Sequence, residues 1–568
     1  MVQIRHIAIS NFRCIEKLDW FPAAGINCLI GPGDAGKSSI LDAIDYCLGA
    51  RRTVQFTDAD FHGLDVTNPI MIEITIGDLS DALKSMDAYG PFVRSFDVAT
   101  RAIDDEPESG KETVLTVQLT VGSDLDPVWT LISDRAKAQG LSRNLTWGDR
   151  TRLSPTRIGA LAEHNLAWRR GSVLNRLTDE KADTSAALAS AARDARRAFG
   201  DLADAQLGET LKLVVETARE LGIPAGDKLK AMLDAHSVSF SGGTVALHGE
   251  NGVPLRALGV GSTRLLVAGL QRKAAKESSV LLVDELEHGL EPHRIIRLLG
   301  SIGAKETPPP IQAFVTTHSP VALRELRGDQ LCVVRKLAGA HKLDLVGLSD
   351  SIQGTIRAHP EAFLSRSVLV CEGASEVGLV RGLDLHFTAQ GYASINAAGV
   401  ALVDAGGVSK IYGRANVLRN LGFRTASLRD DDVQPDATEE GLFTSNGCPV
   451  FKWAPSQALE HAIFHGVSDS AVHRLLERAV ELHGEDLIGE HITAASNNTL
   501  TLAQCRGPVT PQTRQILATA AKWKKNAWFK TVTWMEDAAR DIIGPDYQAA
   551  NPAFQSVIGG LFQWCHGA

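Results

Sequence analysis

Gly31-Pro-Gly-Asp-Ala-Gly36-Lys37-Ser38 is the stretch on which the reading of this chain turns. It fits the spacing G-x-x-x-x-G-K-[ST]. It also sits where that motif must sit, after the strand-like run 26–30 (INCLI) and before a helical pattern, KSSILDAIDYCLG, closed by Gly49. Glycines let backbone N–H groups turn toward phosphate oxygens, and the helix N-terminus adds a favourable dipole. The spacing predicts a nucleotide site for ATP built from Gly31, Gly36, Lys37, Ser38 and Ser39. Lys37 reaches the β- and γ-phosphates, and Ser38 ligates Mg²⁺. A chance glycine-rich turn would not carry a strand before it and a helix after it.

Other pieces of a phosphoryl-transfer site follow in order. Val280-Leu-Leu-Val-Asp284-Glu285 is an apolar strand ending in two carboxylates. Asp284 is expected to hold Mg²⁺ directly or through water, and Glu285 to polarise the attacking water. Alone, two acids at a strand end are a common helix-capping device; the glycine-rich loop upstream changes their meaning. Leu258-Gly259-Val260-Gly261-Ser262-Thr263 precedes a helix about 25 residues before Asp284 and resembles a divergent ABC signature. In that class the signature of one subunit caps the γ-phosphate held by the other, so Gly261 and Ser262 are expected to act across a homodimer from Lys37. Glu287-His-Gly-Leu-Glu-Pro-His293 stands where a D-loop belongs, and in Thr316-Thr-His318-Ser-Pro320 the histidine fits the switch position. Gln55 is a candidate for the glutamine loop. The opening, Ile7-Ala-Ile-Ser-Asn-Phe12-Arg13, resembles the start of SMC- and RecF-like ATPase heads.

Composition bounds the rest. The 568 residues exceed one core, so two to four domains are expected. Hydrophobic residues make up 44% and charged residues 22%, an ordinary globular balance, and the net charge of -9 means that any nucleic-acid site is a local basic patch. Eight cysteines, none spaced as CxxC, argue against a zinc ribbon and suit a reducing cytosol. Arg5, His6 and Arg13 interrupt the first apolar run, which predicts no signal peptide, and no stretch approaches the ~18 apolar residues of a membrane helix. A cytoplasmic protein without membrane contact is expected. The fold class is α/β in four segments. Residues 1–154 form the first part of an ATPase lobe, and 155–235 a helical insert for dimerisation. Residues 236–358 return to the ATPase, and 359–568 form a second parallel-sheet domain with a helical extension. Arg193, Arg196 and Arg197 on the insert are either a solvated helix face or a DNA-touching arm. Only 246 residues lie between Lys37 and Asp284, which excludes a long coiled-coil arm.

The second half carries its own chemistry. Residues 368–376 read Val-Leu-Val-Cys-Glu372-Gly-Ala-Ser-Glu376: a buried strand delivers Glu372, Gly373 allows a sharp turn into a helix, and Glu376 points back. A second strand, Arg424-Thr-Ala-Ser-Leu-Arg-Asp430-Asp431-Asp432, also ends in acids. Residues i and i+2 share a face, so Asp430 and Asp432 converge while Asp431 turns away. Like charges so placed repel unless cations neutralise them, and hard oxygen ligands suit Mg²⁺ or Mn²⁺. Two such ions ~4 Å apart activate water and stabilise a leaving oxygen.

This set resembles the Toprim fold, whose glutamate turn is followed by a Gly-Gly turn and then D-x-D; Val403-Asp404-Ala-Gly406-Gly407 matches the middle element. The order of ATPase, helical insert and Toprim resembles the OLD (overcoming lysogenization defect) nucleases and the related Gabija defence nuclease subunit, over nearly the whole chain. That resemblance implies a DNA nuclease, endo- or exonucleolytic, with ATP turnover gating access to the cutting site. It implies a metal set of Glu372, Glu376, Asp430, Asp432, Glu460 and Asp404, with Mg²⁺, Mn²⁺ or Ca²⁺, and a catalytic Lys530, with Lys525 the alternative. The Leu-Arg-Asp-Asp-Asp form resembles the OLD group whose genes neighbour a UvrD-type helicase, a partner it would imply, in DNA repair or phage defence. Asp284-Glu285-Leu286-Glu287 departs from the Glu-Glu-Pro-Glu of many OLD proteins, and the signature lacks a Ser-Gly-Gly core. Residues 501–540 hold seven Lys/Arg against two Asp/Glu, interleaved with Trp523, Trp528 and Trp534. They are read either as a strand-tracking surface or as core tryptophans under a basic helix. The competing reading is a non-catalytic SMC/RecF-like DNA-binding ATPase. A topoisomerase or primase finds no room for a separate domain carrying a tyrosine nucleophile.

Overall fold

The computed structural model describes residues 2–51, 54–159, 165–166, 172–177, 184–220, 226, 228–229, 231, 247–273, 280–337, 339–523 and 526–567. These divide into two compact units. One comprises residues 1–28, 36–322 and 337–341; the other comprises 29–35, 323–336 and 342–568.

In the first unit, β1 (Gln3–Phe12) alternates buried and partly exposed residues and pairs antiparallel with β2 (Ile15–Trp20). The strand β3 (Ile26–Ile30) is buried throughout and leads into the glycine-rich loop. An antiparallel flank runs β6-β5-β7-β4-β1-β2, built from β4 (Ile70–Gly77), β5 (Val93–Asp97), β6 (Ala102–Asp104) and β7 (Glu112–Val121), with β8 (Pro127–Ile132) also on β7. A parallel group runs β9-β10-β11 through β9 (Thr156–Ile158), β10 (Val280–Val283) and β11 (Gln312–Thr316). Both β10 and β11 are buried along their whole length, as near-continuous apolar runs in parallel sheets are.

One sequence expectation changes here. The stretch beginning at 155 was read as a helical insert, yet its first residues form β9, in parallel register with the strand that carries Asp284. Three residues are too few to show a period of two inside an Ala- and Arg-rich run. A 37-residue helix, Thr184–Glu220, does occupy the middle of that stretch. Arg193 and Arg197 are exposed on it.

The chain continues through β12 (Leu331–Leu337) and β13 (Ala340–Leu345). In the second unit, four strands form a wholly parallel sheet in the order β15-β14-β16-β17: β14 (Ser367–Cys371), β15 (Val400–Asp404), β16 (Arg424–Arg429) and β17 (Val450–Lys452). The strand β14 is fully buried, and the chain leaves it first to one side and later to the other. Its C-terminal tip is therefore a topological switch point, where open α/β sheets bind ligands. A helical layer closes over the sheet with a core that includes Leu383, Leu475, Trp528 and Leu561. The helix Ala374–Ala389 crosses the helix Val532–Ala538 closely: a Cβ on Gly378 would stand 2.5 Å from the Val532 carbonyl oxygen, and one on Gly382 2.2 Å from that of Glu536. Among the described residues no helix is long and apolar enough to cross a membrane.

Candidate active sites: a phosphate-binding loop and a carboxylate cluster

The glycine-rich loop is glycine by necessity. Gly31 has φ 136°, and a Cβ there would stand 2.6 Å from the Val334 carbonyl oxygen. Gly36, at φ 87°, opens the helix Lys37–Leu48, whose first residue, Lys37, is buried. Ser38 is exposed, and its Oγ donates to Asp284 Oδ1 at 3.1 Å. Thr316 Oγ1 donates to the same oxygen at 2.7 Å, and Arg157 approaches Oδ2 at 3.3 Å. Helix start and two strand tips thus meet on one carboxylate. Ser39 is half-buried beside Cys14, with 3.6 Å between Oγ and Sγ. Glu285 holds a left-handed φ of 46°; its backbone N–H donates to Thr316 Oγ1 at 2.8 Å, leaving the side chain 66% exposed.

Gly261 allows a close contact. A Cβ there would lie 2.4 Å from the Gly289 carbonyl oxygen, so the helix Val260–Lys273 rests directly on the loop after Asp284. Ser262 Oγ accepts from Arg294 at 3.1 Å. His318 is exposed, and its backbone is anchored: its N–H donates to Glu287 Oε1 at 2.8 Å while Thr317 Oγ1 donates to Oε2 at 2.6 Å. Gln55 lies exposed in the loop before Phe56.

Sequence reasoning missed Arg264. It is completely buried and donates to three carbonyl oxygens, those of Asp284 (2.8 Å), Glu285 (3.0 Å) and His288 (2.7 Å). The signature-like helix is thereby fastened to the acidic strand end. A lone charge in the run Val-Gly-Ser-Thr-Arg-Leu-Leu-Val was the available signal. Arg157 was also missed; it bridges Asp42, Asp45 and Asp284 from β9.

The second constellation gathers acids from four elements. Glu372 leaves the tip of β14, and its Oε2 accepts the Asp430 N–H at 3.0 Å. Glu376, in the first turn of the next helix, is buried and accepts the Gly373 N–H at 2.9 Å. Asp430 follows β16 and accepts the Leu459 N–H at 2.9 Å, which brings in Glu460, buried in the first turn of the helix Leu459–Gly466. Burial, then mutual repulsion, raises these carboxyls. Asp430 is pushed up to about 8 by burial and by Glu376, Glu372 and Glu460. Glu376 rises to about 7 by burial and by Glu372 and Glu460, against its backbone hydrogen bonds. Glu460 and Glu372 are raised mainly by burial, and the positive charge of Lys530 opposes the shift at both. Lys530, itself exposed, follows Phe529, whose carbonyl oxygen accepts from Ser375 Oγ at 3.3 Å.

One expectation is corrected here, and two further site residues are found with partners of their own. Gly373 has φ −153°, a backbone any residue adopts; it supplies room instead, since a Cβ would stand 3.3 Å from Glu376 Oε2. Asp404 reaches the same sheet edge, paired in register with Cys371, but its Oδ1 accepts the Gly406 N–H at 2.8 Å and so caps its own turn. Asp432 is ion-paired with Lys522, a residue the sequence reading did not single out. Asp431 does turn away, held by Arg429 (3.3 Å), Lys452 (3.1 Å) and the Ser456 N–H (3.1 Å). Arg429 is buried, pairs with Glu440 at 2.9 Å and donates to the Asp430 carbonyl oxygen at 2.6 Å, so it fixes the acidic turn from beneath. The alternative Lys525 lies outside the described residues. Of the three tryptophans, Trp528 is fully buried, Trp534 packs against the core and Trp523 is exposed.

Among the described residues no three of these groups stand closed on a single point as ligands would. What fits a hard divalent cation is the donor set: four carboxylates whose shared ionisation is costly until positive charge arrives.

Comparison with known proteins agrees with this division of labour. Residues 26–324 match the family model described as "AAA domain, putative AbiEii toxin, Type IV TA system". Residues 363–432 match the overcoming lysogenization defect protein-like TOPRIM domain. The chain is an AAA-domain ATPase that carries an OLD-like TOPRIM domain. It is 23% identical over 472 residues to an OLD nuclease of Thermus scotoductus, covering 76% of this chain and 82% of the relative. A shorter match, 40% identical over 68 residues, is to the DNA replication and repair protein RecF of Nitrosococcus oceani, covering 11% of this chain and 18% of that protein. Among solved structures, an SMC head bound to the C-terminal winged-helix domain of ScpA covers 60% of this chain and 96% of its own, at 16% identity and a TM-score of 0.34. The OLD-like TOPRIM match contains Glu372, Glu376, Asp404, Asp430 and Asp432. Glu460, Lys522 and Lys530 lie beyond it and come from the helical layer.

Proposed function

We propose that this chain is a divalent-metal-dependent DNA nuclease of the OLD family, whose TOPRIM domain hydrolyses phosphodiesters under the control of its ATPase. The observation that carries this reading is the convergence of Glu372, Glu376, Asp430 and Glu460, with carboxyls raised by burial and, at Glu376, Asp430 and Glu460, also by neighbouring acids. A protein gains nothing in stability from such a cluster; it gains a place for cations. Mg²⁺, Mn²⁺ or Ca²⁺ held there would activate water and stabilise the departing oxygen. The chain's own residues orient the site: Arg429 holds the acidic turn, and Lys530 offers positive charge to the scissile phosphate. Asp432 is expected to join the ligands by exchanging Lys522 for a cation. The name of the Thermus scotoductus relative, OLD nuclease, supports the nuclease reading.

At the ATPase, Gly31, Gly36, Lys37 and Ser39 hold the triphosphate, Ser38 and Asp284 hold Mg²⁺, Glu285 orients the attacking water, and His318 senses the γ-phosphate. Gly261 and Ser262 complete the site across a homodimer. ATP turnover gates entry of DNA and does not supply the hydrolytic chemistry. The setting is cytoplasmic, in DNA repair or phage defence, with a UvrD-type helicase as a candidate partner.

The test is cleavage of supercoiled and linear DNA under a screen of Mg²⁺, Mn²⁺ and Ca²⁺, with and without ATP. Metal-dependent products that vanish in Asp430→Ala are expected. Lys37→Ala should weaken nucleotide binding about 10- to 100-fold. A strict monomer in ATP, by solution mass measurement, would contradict the sandwich. A second reading has one observation behind it: Lys522 already neutralises Asp432. Under that reading the TOPRIM is inert and the chain binds DNA without ever nicking it in any of the three metals.

A further inference from the structure

Trp523 stands next in the chain to Lys522, the residue whose ammonium pairs with Asp432 at the carboxylate cluster. It is 39% exposed, whereas Trp528, five residues on, is fully buried. The Trp523 ring is stacked on His491, with centroids 5.9 Å apart and planes 29° apart. His491 is itself buried, and its Nδ1 accepts the Trp528 indole N–H at 3.2 Å. Burial lowers its pKa, which favours the neutral ring as a stacking partner. A large aromatic ring is thus backed by a second ring that is locked from behind by a third. An exposed indole held this firmly, beside a cation that faces the acids, offers a stacking face to a flat ligand with a negative backbone. In sequence it is flanked by Lys522, Lys524 and Lys525.

We infer that Trp523 is a base-stacking platform, and that the TOPRIM site takes DNA with an unpaired nucleotide next to the cut: a single strand, a flap or a frayed end. The inference rests on the nuclease reading above and adds the substrate class. In a duplex the base faces are already covered by their neighbours; only an unpaired base offers its face to the indole, and such stacking is tolerant of sequence.

The experiment measures binding of the full chain, in EDTA so that no strand is cut. Fluorescein-labelled single-stranded 20-mers and blunt 20-base-pair duplexes are titrated by anisotropy with wild type, Trp523→Leu and Trp523→Phe. Trp523→Leu should weaken single-strand binding on the order of ten-fold and leave blunt duplex within two-fold, while Trp523→Phe keeps most of the affinity. Single-strand binding should also quench wild-type tryptophan fluorescence, and that quenching should disappear in Trp523→Phe, a readout that stands even where Trp523→Leu fails to fold. Equal losses on both DNAs, no loss on either, or quenching that persists in Trp523→Phe overturns the platform. Cleavage of plasmid by the same wild-type preparation in Mg²⁺ separates this result from the nuclease reading. A protein that cuts but shows no Trp523-dependent strand preference retains that reading and loses the platform.

Discussion

The two acidic centres of this chain are treated in opposite ways by their surroundings. At the phosphate-binding loop, Asp284 already receives Ser38, Thr316 and Arg157, and Glu287 receives Thr317 and the His318 N–H. Every acid that shapes that centre has close partners of its own, except the exposed Glu285 side chain, which has His288 at 3.9 Å. At the TOPRIM sheet edge, Glu372, Glu376, Asp430 and Glu460 share one neighbourhood in which backbone N–H donors, Arg429 and Lys530 offset only part of their charge. At the first centre the acids are already partnered by the protein's own groups. The second is electrostatically unfinished, and its missing charge must come from solution.

That contrast can be broken or sharpened by experiment. The largest effect is expected from Glu372→Ala or Asp430→Ala, which should lower DNA cleavage about 1,000-fold or more while ATP hydrolysis stays within about two-fold of wild type. Parallel loss of both activities would mean that the centres are not separable. Next in size is Arg429→Gln. It leaves Asp431 and Glu440 without their buried guanidinium, at a cost of about 3 kcal/mol in urea-unfolding stability of the metal-free protein. A loss below about 1 kcal/mol would show that the acidic turn holds itself.

The third effect concerns pH. Burial and neighbouring acids push Asp430 up to about 8 and Glu376 up to about 7 in the folded chain, against about 4 when unfolded. A carboxyl raised by folding stabilises the fold while protonated, and that contribution is lost as pH climbs through the folded value. In EDTA the melting temperature should therefore fall by about 5 °C or more between pH 5 and pH 8.5, and millimolar Mg²⁺ should restore it. A flat profile would remove the frustration on which the comparison rests. The smallest effect is Lys522→Ala. Freeing Asp432 from a half-exposed ion pair should tighten Mg²⁺ binding about two- to five-fold by calorimetry, as the loss of roughly 0.5–1 kcal/mol of competition implies. Weaker Mg²⁺ binding would recast Lys522 as a support of the cation site rather than its rival.

How much of this was legible in the sequence follows from the range of each contact. The phosphate-binding loop could be read because strand, glycines and helix start lie within about twenty residues and each obeys a local rule. Glu372, Glu376 and Asp430 could be read for the same reason, as acids just beyond buried strands. Lys522 could not: its pairing with Asp432 spans 90 residues and crosses from helical layer to sheet. Arg264 and Arg157 were hidden because a charged residue on an apolar run looks solvated until the fold buries it. Asp404 was placed at the correct edge, but its capture by the Gly406 N–H depends on the conformation of a turn. The tryptophans show the limit most sharply. Trp523 and Trp528 share one basic stretch, and composition could not tell which is core and which is surface.

The separation of Asp432 from Lys522 along the chain has a consequence during synthesis. The carboxylates through Glu460 leave the ribosome well before Lys522 and Lys530, which follow Glu460 by more than 60 residues. For that interval the nascent domain carries its full set of acids without the lysines that later sit near them. Over that interval Arg429 is already present, and the rest of the repulsion must be offset by protons or by cations from solution.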